Sequence, residues 1–170
     1  AWFSKSWQGR RSASQILETN LRGWKTAVTF THDIRIRYVD CDMQGIVYNA
    51  HYLTFVDDAF DCWLRDLDPV FENTYGWEVM VKKAEIIWES PARFGDHLNL
   101  LCTVDRWGNT SFDGAFEGTT SNGKIFTASV TYVCVTQETY QPIPIPPELR
   151  KHLTPEHSEE SSTSTNSADA

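Results

Sequence analysis

The stretch Asp40–Arg65, DCDMQGIVYNAHYLTFVDDAFDCWLR, decides how the rest of the chain is read. Its apolar residues Tyr52, Leu53, Phe55, Val56, Ala59, Phe60, Trp63 and Leu64 recur at three- and four-residue intervals, which predicts one broad helical face turned to a core. Thr54, Asp57, Asp58, Asp61 and Arg65 fall on the polar side. Asn49 stands where an N-cap belongs, because its amide oxygen can accept a hydrogen bond from a free N–H of the first turn. The helix is therefore expected to begin near Asn49. Gly45, which can take the positive φ of a sharp turn, separates this cap from two acids, Asp40 and Asp42.

A carboxylate just ahead of a helix N-terminus has chemical meaning. Free N–H groups at the positive end of a helix can stabilise an oxyanion while a nearby carboxylate attacks or activates water, so the pattern points to acyl transfer. On residue types alone, a pair of ordinary loop acids beside a core helix is the favoured reading. Cys41 is a poor nucleophile here, since carboxylates on both sides suppress the thiolate. His51, in the first helical turn, and His97, after Gly95-Asp96, are read as structural.

Outward from this stretch the periodicity changes. Phe30 to Val39 alternates, with Ile34, Ile36 and Tyr38 on one face and Arg35 and Arg37 on the other, and predicts a half-buried strand delivering the acidic loop. After an irregular connection from Asp68-Pro69 to Gly76, four strand-like runs follow. Trp77 to Glu89 changes phase at Lys82-Lys83, the mark of a bulge or bend. His97 to Trp107 and Thr110 to Thr120 are joined by the turn Gly108-Asn109, and Asn122-Gly123 leads into Ile125 to Thr136. Strand, helix and antiparallel meander make an α+β layer architecture. The proline-rich Gln141 to Pro147 is expected to leave the sheet.

The ends differ in composition. Residues 1–29 carry Lys5, Arg10 and Arg11 with no acid before Glu18, and Ser12 with Gln15 forms a weak capping box, so this arm is read as a targeting or accessory segment with a short helix. Residues 151–170 turn to Ser, Thr, Glu and Asp and are expected to be a disordered tail.

The totals narrow the classes. One domain fits 170 residues of which 41% are hydrophobic. A formal net charge of -8 argues against nucleic acid held on a broad basic surface. No apolar run approaches a membrane span and no signal-peptide core opens the chain, which leads to the expectation of a cytoplasmic protein. Cys41, Cys62, Cys102 and Cys134 are scattered without metal-ligand spacing, so no metal site is expected.

The order of residues adds a resemblance. Asp40-Cys41-Asp42, Gly45-Ile46-Val47-Tyr48-Asn49 and Tyr52-Leu53 closely resemble the D-x-D-x-x-G-x-V-x-x-x-x-Y-L signature of the 4-hydroxybenzoyl-CoA thioesterase family. Pro91 with Gly95-Asp96, Asn109-Thr110-Ser111-Phe112 and the prolines 142, 144 and 146 follow in the family's order, so the likeness spans residues 30–150. It implies a hotdog fold, one long central helix wrapped by an antiparallel sheet of about five strands. It implies acyl-CoA thioester hydrolysis with Asp42 as nucleophile or general base, and carbonyl polarisation by backbone N–H groups around Tyr48 and Asn49.

In the resemblance Asp57 matches a position where relatives carry an acid and is a candidate assisting group beside Gly45, while Asp40 organises the loop. It further implies a homodimer or tetramer and no cofactor, coenzyme A entering only as part of the substrate. The chain departs from those relatives with a basic hairpin at the nucleotide phosphates, having Gly108-Asn109-Thr110 there. Arg93, Arg106 and Lys124 are the alternative phosphate candidates, and an acyl-carrier-protein thioester is left open as substrate. A hotdog dehydratase, whose His-centred motif is not found, and a non-catalytic acyl-binding module are the competing readings.

Overall fold

The computed structural model describes residues 30–70 and 75–154; the expectations for the arm before residue 30 and the tail beyond residue 154 lie outside the described residues. Strands β1 (Phe30–Arg35), β2 (Trp77–Trp88), β3 (His97–Trp107), β4 (Ser111–Thr120) and β5 (Gly123–Thr136) form one antiparallel sheet in the order β1-β3-β4-β5-β2. Helix α1 (His51–Leu67) lies in the sheet's concave side, and a short helix α2 (Pro147–His152) closes one end. This is the α+β hotdog arrangement expected from the sequence.

The helical face was legible almost residue for residue. Tyr52, Phe55, Val56, Ala59, Phe60, Trp63 and Leu64 are buried, packed against Leu98, Leu100 and Cys102 of β3, Phe112 and Phe116 of β4, and Phe126, Ala128, Val130 and Tyr132 of β5. Phe60 stacks on Tyr132 at 4.0 Å between ring centroids, and Tyr132 on Phe112 at 5.3 Å. Burial of such rings is the largest stabilising contribution of this core. Leu53 departs from expectation: it is 38% exposed, on the helix flank that faces β2.

Three boundaries move for physical reasons. β1 stops at Arg35 instead of reaching Val39, because Tyr38–Asp40 turns into a single 3-10 helix whose start is held by the Asp40 carboxylate. The helix cap is Ala50, with no side-chain cap bond, because Tyr48 to His51 forms a turn in which the Tyr48 carbonyl accepts from His51 N–H at 2.9 Å. Asn49 is therefore in that turn and is not the cap. The prolines do not carry the chain away from the sheet: Ile143 N–H donates to Cys134 and Ile145 N–H to Asn109, before α2 buries Leu149 and Leu153 completely. The expected boundary at residue 150 thus falls inside a packed helix.

The register shift between Val81 and Lys83 is the bulge read from the phase change. Shifts between Val104 and Arg106 and between Gly118 and Thr119 gave no comparable sign in the sequence.

Candidate active site

The loop from Arg37 to Ala50 is built around one buried acid. Asp40 is 1% exposed and accepts from Arg37 N–H at 2.7 Å, Arg37 Nε at 3.1 Å and Arg37 Nη2 at 2.9 Å. The guanidinium hydrogen bonds and charge hold its carboxyl below the usual range, against the opposing effect of burial. Its carbonyl accepts from Tyr48 N–H at 3.0 Å, which ties the end of the loop to its beginning. Asp40 organises the loop, as its residue type suggested.

A second clamp fixes the loop to the sheet. Val47 N–H donates to the Ala92 carbonyl at 2.9 Å, and Ala92 N–H donates to the Tyr52 hydroxyl at 3.2 Å. One residue of the β2–β3 connection therefore grips both the loop and the first helical turn.

Asp42 sits at the bend between these clamps, partly buried. Its N–H donates to Ile46, its carbonyl accepts from Gly45 N–H, and Oδ1 accepts from Gln44 N–H at 2.8 Å. The bend needs a left-handed residue, supplied by Gly45 at φ 74°. Among the described residues Oδ2 of Asp42 has no hydrogen-bond partner, so one oxygen is held by the loop and the other is left for chemistry.

At the helix start an open depression of about 420 Å³ is lined by Tyr48, Asn49, Ala50 and Leu53 on one side and by Ala84, Ile86 and Trp88 of β2 on the other. α1 lies nearer β1 and β3, so the concave face of β2 is left uncovered beside it. Tyr48 N–H is committed to Asp40 and is not a free donor, whereas Asn49 and Ala50 N–H have no partner among the described residues. The unpartnered N–H groups thus stand one residue later than the pair expected from the sequence. Ala50 and the β2 wall escaped sequence reasoning; the phase change at Lys82 was the signal, because it turns Ala84, Ile86 and Trp88 onto the concave face.

The remaining candidates separate. Neither Asp42 nor Asp57 lines the depression; the Asp57 carboxyl is pushed up by burial against the helix flank and by Asp61 and Asp58. Arg106 Nε is paired with Asp113 at 2.7 Å, and Lys124 Nζ lies 2.8 Å from Glu117, so neither presents a free charge for phosphate. Arg93 is exposed, in the turn capped by Asp96, and has no acid partner among the described residues. His97 pairs with Asp33. His51 packs its ring edge-on to Tyr48. The donor atoms of His32, Asp58 and Cys62 lie within 4.8 Å of one another on the β1 flank of α1, with His32 hydrogen-bonded to Asp58.

Comparison with known proteins matches this geometry to a family. The model of the thioesterase-like superfamily matches residues 26–153. A 1,4-dihydroxy-2-naphthoyl-CoA hydrolase from Synechococcus elongatus is 25% identical over 122 residues, 69% of this chain and 90% of the relative. The enzyme of the same name from Thermosynechococcus vestitus is 27% identical over 119 residues, 67% of this chain and 81% of the relative. Among solved structures, a 1,4-dihydroxy-2-naphthoyl-CoA thioesterase from Synechocystis superposes with a TM-score of 0.66 at 21% identity, covering 73% of this chain and 94% of that one.

Proposed function

Because the chain belongs to the thioesterase-like superfamily, we propose that it is an acyl-CoA thioesterase in which Asp42 and the first free N–H groups of α1 carry the hydrolysis. One observation carries the reading: Asn49 and Ala50, whose N–H groups have no partner among the described residues, line a depression of about 420 Å³ at the end of the acidic loop. A thioester carbonyl placed against them would develop its negative charge at the positive end of a helix. Asp42 Oδ2 then either attacks that carbon, giving an acyl anhydride that water cleaves, or takes the proton of an attacking water. In both routes the products are the free acid and the thiol.

Leu53, Ile86 and Trp88 provide an apolar wall for the acyl group. The relatives named as 1,4-dihydroxy-2-naphthoyl-CoA hydrolases act on a bicyclic aromatic acyl group, and an aromatic acyl-CoA is accordingly the first substrate class in this reading. Coenzyme A enters as part of the substrate, with no further cofactor, and Arg93 is the candidate cation for its phosphates.

The depression is open on the β2 side, and β2 is an edge strand exposing Met80, Val81 and Trp88. A second copy pairing there would cover the exposed edge and wall the depression, so a homodimer, or a tetramer of such dimers, belongs to the proposal. The four cysteines are free, which suits a reducing compartment and the cytoplasmic location included with it.

The test is free-thiol release from a panel of short, long and aromatic acyl-CoAs by the wild type and Asp42→Asn. Turnover of one substrate with a drop of at least ~10²-fold in kcat in the variant is the expected result. Equal activity of the variant would overturn the mechanism. No activity on any acyl-CoA, with activity on an acyl-carrier thioester, would move the substrate to the carrier. Light scattering that finds only monomer at micromolar concentration would remove the oligomer.

A further inference from the structure

On the flank of α1 opposite the depression, two elements bring three kinds of metal donor together. His32 stands in β1, the sheet edge remote from β2. Asp58 and Cys62 stand four residues apart in α1, so their side chains project from the same helix face, about one turn apart. One donor atom from each of His32, Asp58 and Cys62 lies within 4.8 Å of the other two, and among the described residues this is the one such set of three. The scattered cysteines hid it from sequence reading, because the set exists only once β1 is laid against α1.

The atoms already approach the spacing a metal ion requires. Around a tetrahedral zinc ion, bonds of about 2.0–2.3 Å put neighbouring donor atoms roughly 3.3–3.6 Å apart. Nε2 of His32 is 3.0 Å from Oδ2 of Asp58, and drawing all three donors to the zinc spacing takes movements of about 1 Å. The imidazole is held in place for this. Its ring stacks on Phe30 at 6.3 Å between centroids and 15° between planes, and Phe30 stacks in turn on Trp63 at 6.0 Å. Trp63 belongs to the same helix as Asp58 and Cys62, so strand and helix are set against each other at this point. The neighbouring cation, Arg65, is engaged by Asp61 at 2.8 Å, which leaves Asp58 to His32.

The donor types select the ion. Without the sulfur, His32 and Asp58 would be a surface ion pair of small value. Imidazole and thiolate favour zinc and its transition-metal neighbours over magnesium and calcium, which prefer oxygen ligands. The Cys62 thiol is pushed up by burial and by the charges of Asp58 and Asp61, so on its own it keeps its proton and is a weak nucleophile. A bound cation displaces that proton and takes the thiolate as a ligand.

We propose that His32, Asp58 and Cys62 bind one zinc ion, with water in the fourth position, and that the ion ties the edge strand β1 to the central helix. It takes no part in thioester hydrolysis, since the depression lies on the other flank of α1, against β2.

The test uses the full chain, first stripped of metal with a chelator, and cobalt(II) as a spectroscopic stand-in for zinc. The wild type is expected to give a thiolate-to-cobalt charge-transfer band that saturates at one equivalent and is displaced by zinc. Added zinc should also raise the midpoint of thermal unfolding, because the ion binds the folded chain. Cys62→Ser should lose the band. Asp58→Asn, a change at an exposed helix position that keeps an oxygen for His32, serves if the serine variant does not fold. It should weaken zinc binding by at least the ~10-fold that loss of even an outer partner of a metal ligand costs. No charge-transfer band from the wild type, a band that persists in folded Cys62→Ser, or equal zinc affinity in the wild type and Asp58→Asn would each overturn the proposal.

Discussion

Arg37 closes on Asp40 through three hydrogen bonds, its backbone N–H, Nε and Nη2 all ending on one carboxylate that is 1% exposed. The Asp40 carbonyl in turn holds Tyr48 N–H, so the loop bearing Asp42 is closed by its first acid. Asp40→Ala leaves the Arg37 N–H and guanidinium without their acceptor and is expected to destabilise the fold by about 1–3 kcal/mol. The midpoint of thermal unfolding should fall by several degrees, and kcat should fall with it as Asp42 loses its fixed position. An unchanged midpoint by calorimetry would show that the loop is held by other contacts.

The same pair sets an acid limit. The Asp40 carboxyl is held below the usual range in the folded protein by Arg37, chiefly through the side-chain hydrogen bonds. The unfolded chain binds that proton more readily, so the stabilisation is complete above the ordinary carboxyl pKa of about 3.9. It is lost as pH falls through the folded value. Denaturant titrations at pH 7 and at successively lower pH should show a fall in stability that is smaller in Asp40→Asn, where this proton is absent. Parallel pH dependences of the two proteins would remove Asp40 as a contributor.

Much of this was legible from the chain because it depends on local rules. The apolar spacing of Tyr52 to Leu64 fixes which side of α1 is inward, and Gly108-Asn109 and Asn122-Gly123 fix two hairpins. The Asp40-to-Asn49 signature locates the loop. What sequence reading missed depends on partners distant along the chain. Ala92 holds Val47 and Tyr52 from more than forty residues downstream in the case of Val47, forty in the case of Tyr52. Leu53 has the spacing of a core residue, but α1 lies toward β1 and β3, which turns this flank to the depression. Asn49 has the chemistry of a cap, yet the Tyr48–His51 turn moves the cap to Ala50.

Tyr52 connects core to site through a single oxygen. Its hydroxyl accepts from Ala92 N–H at 3.2 Å while its ring packs on Phe126 at 5.2 Å between centroids. Tyr52→Phe keeps the ring and leaves that buried N–H unsatisfied, a loss of about 1–2 kcal/mol. Amide exchange should become faster at Ala92 and Val47 before it changes in β4 and β5. Exchange rates at those two amides matching the wild type would show that the hydroxyl contributes nothing to the clamp.

Gly118 is required by close approach, its φ being unexceptional. A Cβ at this position would run into the ring of Phe126, which is fully buried beneath Tyr52 and has no room to withdraw. Gly118→Ala should destabilise by about 1–3 kcal/mol through overpacking, read as a lower denaturation midpoint with an unchanged m-value. The double variant Gly118→Ala, Phe126→Leu should recover part of that loss, because the smaller side chain vacates the space. Failure of the second substitution to help would place the strain elsewhere.

The division of labour at the helix start separates backbone from side chain. Asn49 contributes a side chain that caps nothing and an N–H without a partner among the described residues, and Ala50 contributes a second such N–H. If the backbone polarises the carbonyl, Asn49→Ala should leave kcat largely unchanged. Ala50 has φ -72°, a value proline adopts, so Ala50→Pro removes one donor with little conflict at its own φ. Proline also biases Asn49 toward extended backbone, so circular dichroism and the unfolding midpoint must first show α1 intact. With the helix intact, loss of an oxyanion donor should lower kcat by ~10²–10³-fold while KM changes little. A folded Ala50→Pro enzyme with wild-type kcat would exclude the Ala50 N–H as a donor, and a large loss in Asn49→Ala would transfer the role to the Asn49 amide.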